Sequence, residues 1–206
     1  MAYAAWLSPS KTSGSGNDTV SVSALSNNTG RNVRTTNVTF KAPNCADVVR
    51  TVNQAGKPEF VTLQSTAAVV KGGGTLTLSG TSNSSKLTFT LGSGATLSLT
   101  MPTKYTANSV QTDNGAAISG DPGASAEYAF SITFTGIAEN TTIDSKSAQV
   151  VVTDNAGNSA TCTVTQAAGD ATLSVAPASV ELAWNAYTEG TSASFTVTSN
   201  TNWTVE

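Results

Sequence analysis

Histidine is absent from the sequence, cysteine and methionine occur twice each, and only 11% of the residues are charged. Without an imidazole there is no Ser-His-Asp or Cys-His relay, and no histidine ligand for zinc. Two cysteines as far apart as Cys45 and Cys162 do not make the disulfide framework of a small secreted scaffold. No stretch approaches the ~20 apolar residues of a spanning helix. The N-terminal apolar run has no basic flank and is broken by Ser8 and Pro9, too short for the core of a signal peptide. With Met1 as the start, the chain is expected to be made in a cytoplasm and to leave it inside a larger particle or by lysis. A net charge of -3 argues against a nucleic-acid partner. Among the carboxylates, Asp113 and Asp121 share a loop region, but nothing sets two acids across a cleft. The expectation is a protein without catalytic residues, cofactor or metal, binding neither nucleic acid nor membrane.

What the chain has in quantity is Ser and Thr, together more than a quarter of the sequence, with 17 Gly. Apolar residues alternate with them at period two, as in strands with one buried face. The pattern predicts strands at 20–24, 38–40, 48–54, 76–78, 87–91, 97–101, 130–134, 150–152, 160–164, 180–184, 195–197 and 203–205. Turn residues punctuate it at 14–18, 71–74, 113–115, 121–123 and 154–158. No stretch sustains a helical period, so the fold class expected is all-β, with antiparallel sandwiches in tandem.

The chain also repeats. Arg34 to Gly56 and Lys146 to Ala168 both read as strand, polar hairpin and a strand ending Val-x-Gln-Ala, and the step from Gln54 to Gln166 sets the period. Leu76–Asn83 matches Phe195–Asn202 as a second pair. The chain therefore divides into the back half of a module at 1–57, a complete module at 58–169 and the front half of another at 170–206. Each half alone would leave apolar faces and strand edges in water.

The segment Ala171-Thr-Leu-Ser-Val-Ala-Pro-Ala-Ser-Val180, followed by Phe195-Thr-Val-Thr-Ser-Asn-Thr-Asn-Trp-Thr-Val205, resembles the first half of a BACON domain. Trp6-Leu-Ser-Pro9 with Asn28-Thr-Gly30, Val38-Thr-Phe40 and Val52-Asn-Gln-Ala-Gly56 resembles its second half. The resemblance implies an immunoglobulin-like sandwich, common in surface proteins of Bacteroidetes and in some of their gut phages. It implies that the Trp-Thr-Val strand runs into the Trp-Leu segment, which makes Trp6 and Trp203 core neighbours in a joined module. The halves differ in charge, residues 1–57 carrying +4 and residues 170–206 carrying -4, which favours their pairing. A sandwich with an odd strand count has its ends at opposite poles, roughly 35–40 Å apart. The joint Ala167–Asp170 spans at most ~14 Å. Completion between chains is therefore expected, residues 170–206 of one copy completing 1–57 of the next or, failing that, of the same chain. Its interface would include Trp6, Lys11, Arg31, Arg34, Glu181, Phe195, Trp203 and Val205.

The function expected is a self-associating structural protein of a bacteriophage virion (a capsid decoration, head fibre or tail protein), with capsid or tail proteins as further partners. The alternative is a carbohydrate- or mucin-binding module of a bacterial surface protein or glycosidase, in which Trp184 and Tyr187, flanking the hairpin 185–190, stack on sugar rings. Asp154-Asn-Ala-Gly-Asn158 has the oxygen-rich look of a calcium loop and is read as a hairpin turn. Six Asn-x-Ser/Thr triplets, starting at Asn17, Asn27, Asn37, Asn83, Asn140 and Asn202, follow from composition. Cys162 alternates with Ala160 and Val164 and is expected inside; Cys45 is expected at a hairpin tip.

Overall fold

The computed structural model describes residues 3–182 and 192–206. Its strands are β1 (Leu7–Pro9), β2 (Val22–Ala24), β3 (Arg34–Phe40), β4 (Val48–Gln54), β5 (Thr66–Val69), β6 (Gly74–Ser82), β7 (Leu87–Leu91), β8 (Lys104–Ala107), β9 (Val110–Asp113), β10 (Tyr128–Ile137), β11 (Lys146–Asp154), β12 (Ser159–Gln166), β13 (Leu173–Ala176) and β14 (Thr196–Ser199). Among the described residues there is no α-helix, and the chain is an all-β protein of sandwich type.

Two four-stranded sheets, in the orders β6-β10-β8-β9 and β5-β12-β11-β7, enclose the main core between them. The alternation in the sequence explains the layers: Leu76 and Leu78 of β6, Phe130, Ile132 and Phe134 of β10, and Val150 and Val152 of β11 are all buried, while the Ser and Thr between them mostly face out. Phe89 of β7 crosses the space between the sheets, its ring centroid 5.0 Å from Tyr105 on β8 and 5.7 Å from Phe130 on β10. Every residue of this core lies between Val61 and Val164.

Three expectations need correction. The sandwich is not wholly antiparallel, because β5 runs parallel to β12; the chain crosses from one sheet to the other after residues 60–64 and so enters β5 in the direction of β12. Residues 97–101 form no strand, although Leu97 and Leu99 are buried; the backbone N–H groups of Thr96 and Leu97 both donate to the Ser147 carbonyl and hold the segment against β11. Residues 180–182 and 203–205 join no ladder either. A strand needs a neighbour to satisfy its backbone groups, and none lies beside these segments within the described residues.

On either side of the sandwich stand two-stranded sheets only: β1-β2 and β3-β4 before it, β13-β14 after it. The N-terminal segment docks beside Asn83, where β6 ends; the C-terminal one docks beside Lys71 and Thr141, on the side where β6 begins. Nine residues of strand put these two poles roughly 30 Å apart.

Candidate functional site: the two terminal segments

The two joints between the sandwich and its flanking segments are built alike. Asn28 donates to the Asn32 and Ala55 carbonyls at 2.8 and 3.2 Å, and Asn140, one period later, donates to those of Asp144 and Ala167 at 2.8 and 3.0 Å. The Lys57 N–H donates to the Gly30 carbonyl, and the Gly169 N–H to that of Thr142. Gly30 has no room for a side chain, since a Cβ there would lie 2.3 Å from the Ser125 carbonyl carbon.

A second polar unit recurs between the sandwich and the C-terminal segment. Asn83 Oδ1 accepts from the Phe60 N–H at 3.0 Å, and Asn200 Oδ1 from that of Thr172 at 2.8 Å. Ser82 Oγ donates to the Phe60 carbonyl, and Ser199 Oγ to that of Thr172. The same two hydroxyls accept from the N–H groups of Ser84 and Thr201. The repeated unit is thus Ser-Asn-Ser/Thr at 82–84 and 199–201. This corrects the pairing of Leu76 with Phe195 by two positions: the true counterpart of Phe195 is Leu78. The sequence pairing was misled by a run in which apolar residues and Thr alternate, so that a shift of two keeps the pattern.

With these offsets, β3 and β4 are the counterparts of β11 and β12, β2 that of the end of β10, and β14 that of β6. The pairing of Arg34 with Gln54 reproduces that of Lys146 with Gln166. What differs is coverage. Leu78, Phe134 and Val152 are 0, 1 and 0% exposed; their counterparts Phe195, Val22 and Phe40 are 51, 41 and 42% exposed. Twelve of the sixteen exposed large apolar side chains among the described residues lie in the two terminal segments, so most of this surface belongs to them and little to the sandwich. Between the β1-β2 and β3-β4 pairs lies an open cleft of about 330 Å³ lined by Tyr3, Pro9, Val20, Val38 and Phe40, with Lys11 and Lys41 at its edge.

The residues expected at an interface fall into two groups. Lys11 pairs with Asp18 at 2.7 Å and holds that carboxyl below its ordinary range. The Arg34 guanidinium sits 4.7 Å from the Trp6 ring centroid and donates to Gln54 and Ser26. Glu181, Phe195, Trp203 and Val205 are exposed. Arg31 differs in that its partners lie in the sandwich: it pairs with Asp121 and donates to the Asn83 carbonyl, so it fixes the joint to the sandwich instead of an outer face. Trp6 and Trp203 are not brought into a common core in the single chain, where Trp203 stays exposed. Trp184 and Tyr187 lie outside the described residues.

Gln54 shows where the N-terminal segment differs from the sandwich. Its counterpart Gln166 is buried, and its amide donates to the Ala138, Lys71 and Val70 carbonyls. Gln54 donates to Ser26, the counterpart of Ala138, but the other two acceptors follow a strand, the equivalent of β5, that the N-terminal half does not contain. No pattern in the sequence flags this residue's open bonding; it follows only from the sheet order. At two core positions of the repeat a charge replaces a buried side chain: Asp18 and Arg50 stand where the sandwich has Phe130 and Cys162.

The loop at 154–158 is a turn. Asp154 Oδ1 accepts from the N–H groups of Ala156 and Asn158 and Oδ2 from the Asn158 amide, so the carboxylate is used by its own hairpin, with Gly157 at φ 93°. Burial pushes the Tyr128 phenol up, and its hydroxyl donates to the Ser84 carbonyl at 2.8 Å, a packing role. Cys45 is exposed beyond the end of β3, whereas Cys162 is fully buried and its thiol pushed up by desolvation. A thiol reagent at neutral pH is accordingly expected to modify one cysteine of the native protein, lost in Cys45→Ser, and two after unfolding in urea.

Residues 1–55, just over a quarter of the chain, match the BACON family model, described as "Putative binding domain, N-terminal". The N-terminal segment is thus a BACON-like part of a β-sandwich protein. No curated protein matches the chain.

Proposed function

We propose that this protein is a non-enzymatic structural component that self-associates head to tail, the segment 170–206 of one copy completing the half-module 1–57 of the next. The observation that carries this reading is the correspondence of the halves with the two parts of the central sandwich, hydrogen bond by hydrogen bond at the joints. Their placement at opposite poles favours a neighbour over the same chain as the source of the missing strands. Such a contact is heterologous and propagates into a ring or a filament.

Energetics agree with a reversible contact. Moving a dozen half-exposed apolar side chains to full burial is worth ~1 kcal/mol each, set against the ~4–15 kcal/mol lost in association. New ladder hydrogen bonds and the opposite charges of the halves then tip the balance. The setting we propose is a bacteriophage virion, where a repeating attachment suits a repeating particle. A second reading, a glycan- or mucin-binding module, is favoured by the binding-domain description of the matched family.

Light scattering on a size-exclusion column tests the proposal. The mass is expected to exceed 20.8 kDa, to rise with concentration and to fall between low and high salt as charge attraction is screened. A mass of 20.8 kDa at every concentration would exclude self-association and leave glycan binding as the reading to pursue.

A further inference from the structure

We propose that residues 179–182 of one copy add in parallel to β4 of the next with Val180 beside Val52 and Leu182 beside Gln54, one position away from the register that the step from Gln54 to Gln166 would dictate. This rests on the self-association proposed above and specifies its joint.

In the sandwich, β5 lies against β12 with Ala67 beside Val164 and Val69 beside Gln166; Val69, Val164 and Gln166 are buried, and Ala67 packs against the core. Carried over unchanged, that register puts Ser179 beside Val52 and Glu181 beside Gln54. The Glu181 carboxylate would then point into the core, and Val180 and Leu182 would point to water. Because side chains alternate, a slip of one position exchanges the two faces. Arg34, which already donates to Gln54 at 2.7 Å, is a cation near that position, but the places of Ala67 and Val69 face the core of the sandwich and call for apolar side chains, which Ser179 and Glu181 are not. The slipped register supplies them: Val180 takes the place of Ala67, Leu182 that of Val69, and Glu181 turns outward beside Asn53. The corner after β13 then holds Pro177 and Ala178 where the sandwich has Ser65 alone between Gln64 and β5. In the single chain Leu182 is exposed, Val180 is only partly covered and β4 has a free edge among the described residues, so both partners are available. The incoming strand also brings backbone carbonyls to Gln54, whose amide lacks the β5-side acceptors that Gln166 has.

Cross-linking of the full-length chain reads the register. In a Cys45→Ser background, Asn53→Cys with Glu181→Cys is compared with Asn53→Cys with Val180→Cys under mild oxidation, with mass followed by light scattering. Neighbouring strands hold paired Cα atoms about 5 Å apart, within reach of a disulfide. The expected result is an inter-copy ladder on a non-reducing gel at least several-fold stronger for the 53/181 pair. A stronger ladder from the 53/180 pair would overturn the slipped register while leaving self-association standing. Association without either cross-link would overturn this strand as the joint. Cross-links confined to single chains, or a monomer that forms none, would overturn the proposed self-association together with the register.

Discussion

A mixture of residues 1–169 with residues 58–206 is expected to form a one-to-one complex that grows no further, while each fragment alone stays monomeric. The first keeps the acceptor half and lacks the donor; the second keeps the donor and lacks the acceptor. Both retain the whole central core, which lies between Val61 and Val164, so loss of folding does not explain a loss of association. Phe40→Asp in the first fragment is expected to abolish the complex, because Phe40 is the counterpart of the fully buried Val152 and would carry a charge into the completed core. Sedimentation velocity separates the outcomes; a mixture that remains two monomers would refute strand donation even if the intact chain associates by another surface.

Phe89→Ala is expected to cost about 3–5 kcal/mol in urea unfolding, through lost transfer energy and the cavity left behind. The ring is almost fully buried and touches aromatic rings of the opposite sheet, so its removal uncouples the two layers as well as emptying space. Against the roughly 5–15 kcal/mol total of an ordinary domain, that is a large share. The truncation of Phe195 to Ala, exposed just before β14, is expected to leave the same transition within about 0.5 kcal/mol under conditions where the chain is monomeric. Equal losses from the two substitutions would show that Phe195 is already buried within the single chain.

Much of this protein is written in short-range pattern. Alternation of apolar residues with Ser and Thr located most of the strands, because a half-buried strand must turn every second side chain to the core. The repeat at Gln54 and Gln166 was readable because one amide closes the same polar corner twice, donating to Ser26 in one case and Ala138 in the other. Cys162 lay on the inner face of its strand by the same count, and the turn at Asp154 was visible because its residues are those that hydrogen-bond their own backbone.

Other features depend on distance in space. Arg31 looked like one more charge on a basic half, but its partner Asp121 is far away in sequence, and only the docking of Gly30 against Ser125 brings them together. The two-position error in pairing Phe195 arose because alternation fixes the face of a residue and not its rung, whereas the Asn200 side chain bonded to Thr172 fixes the rung.

Composition and periodicity were enough for the all-β class, the inward face of most strands, the long repeat and the opposite charges of the two ends. Each of these is a property of residue types and their spacing along the chain. The parallel pairing of β5, the polar joints and the unfilled bonding of Gln54 came only from the folded chain. Those depend on which segments meet, and such meetings are set by the packing of whole sheets, to which no local pattern has access.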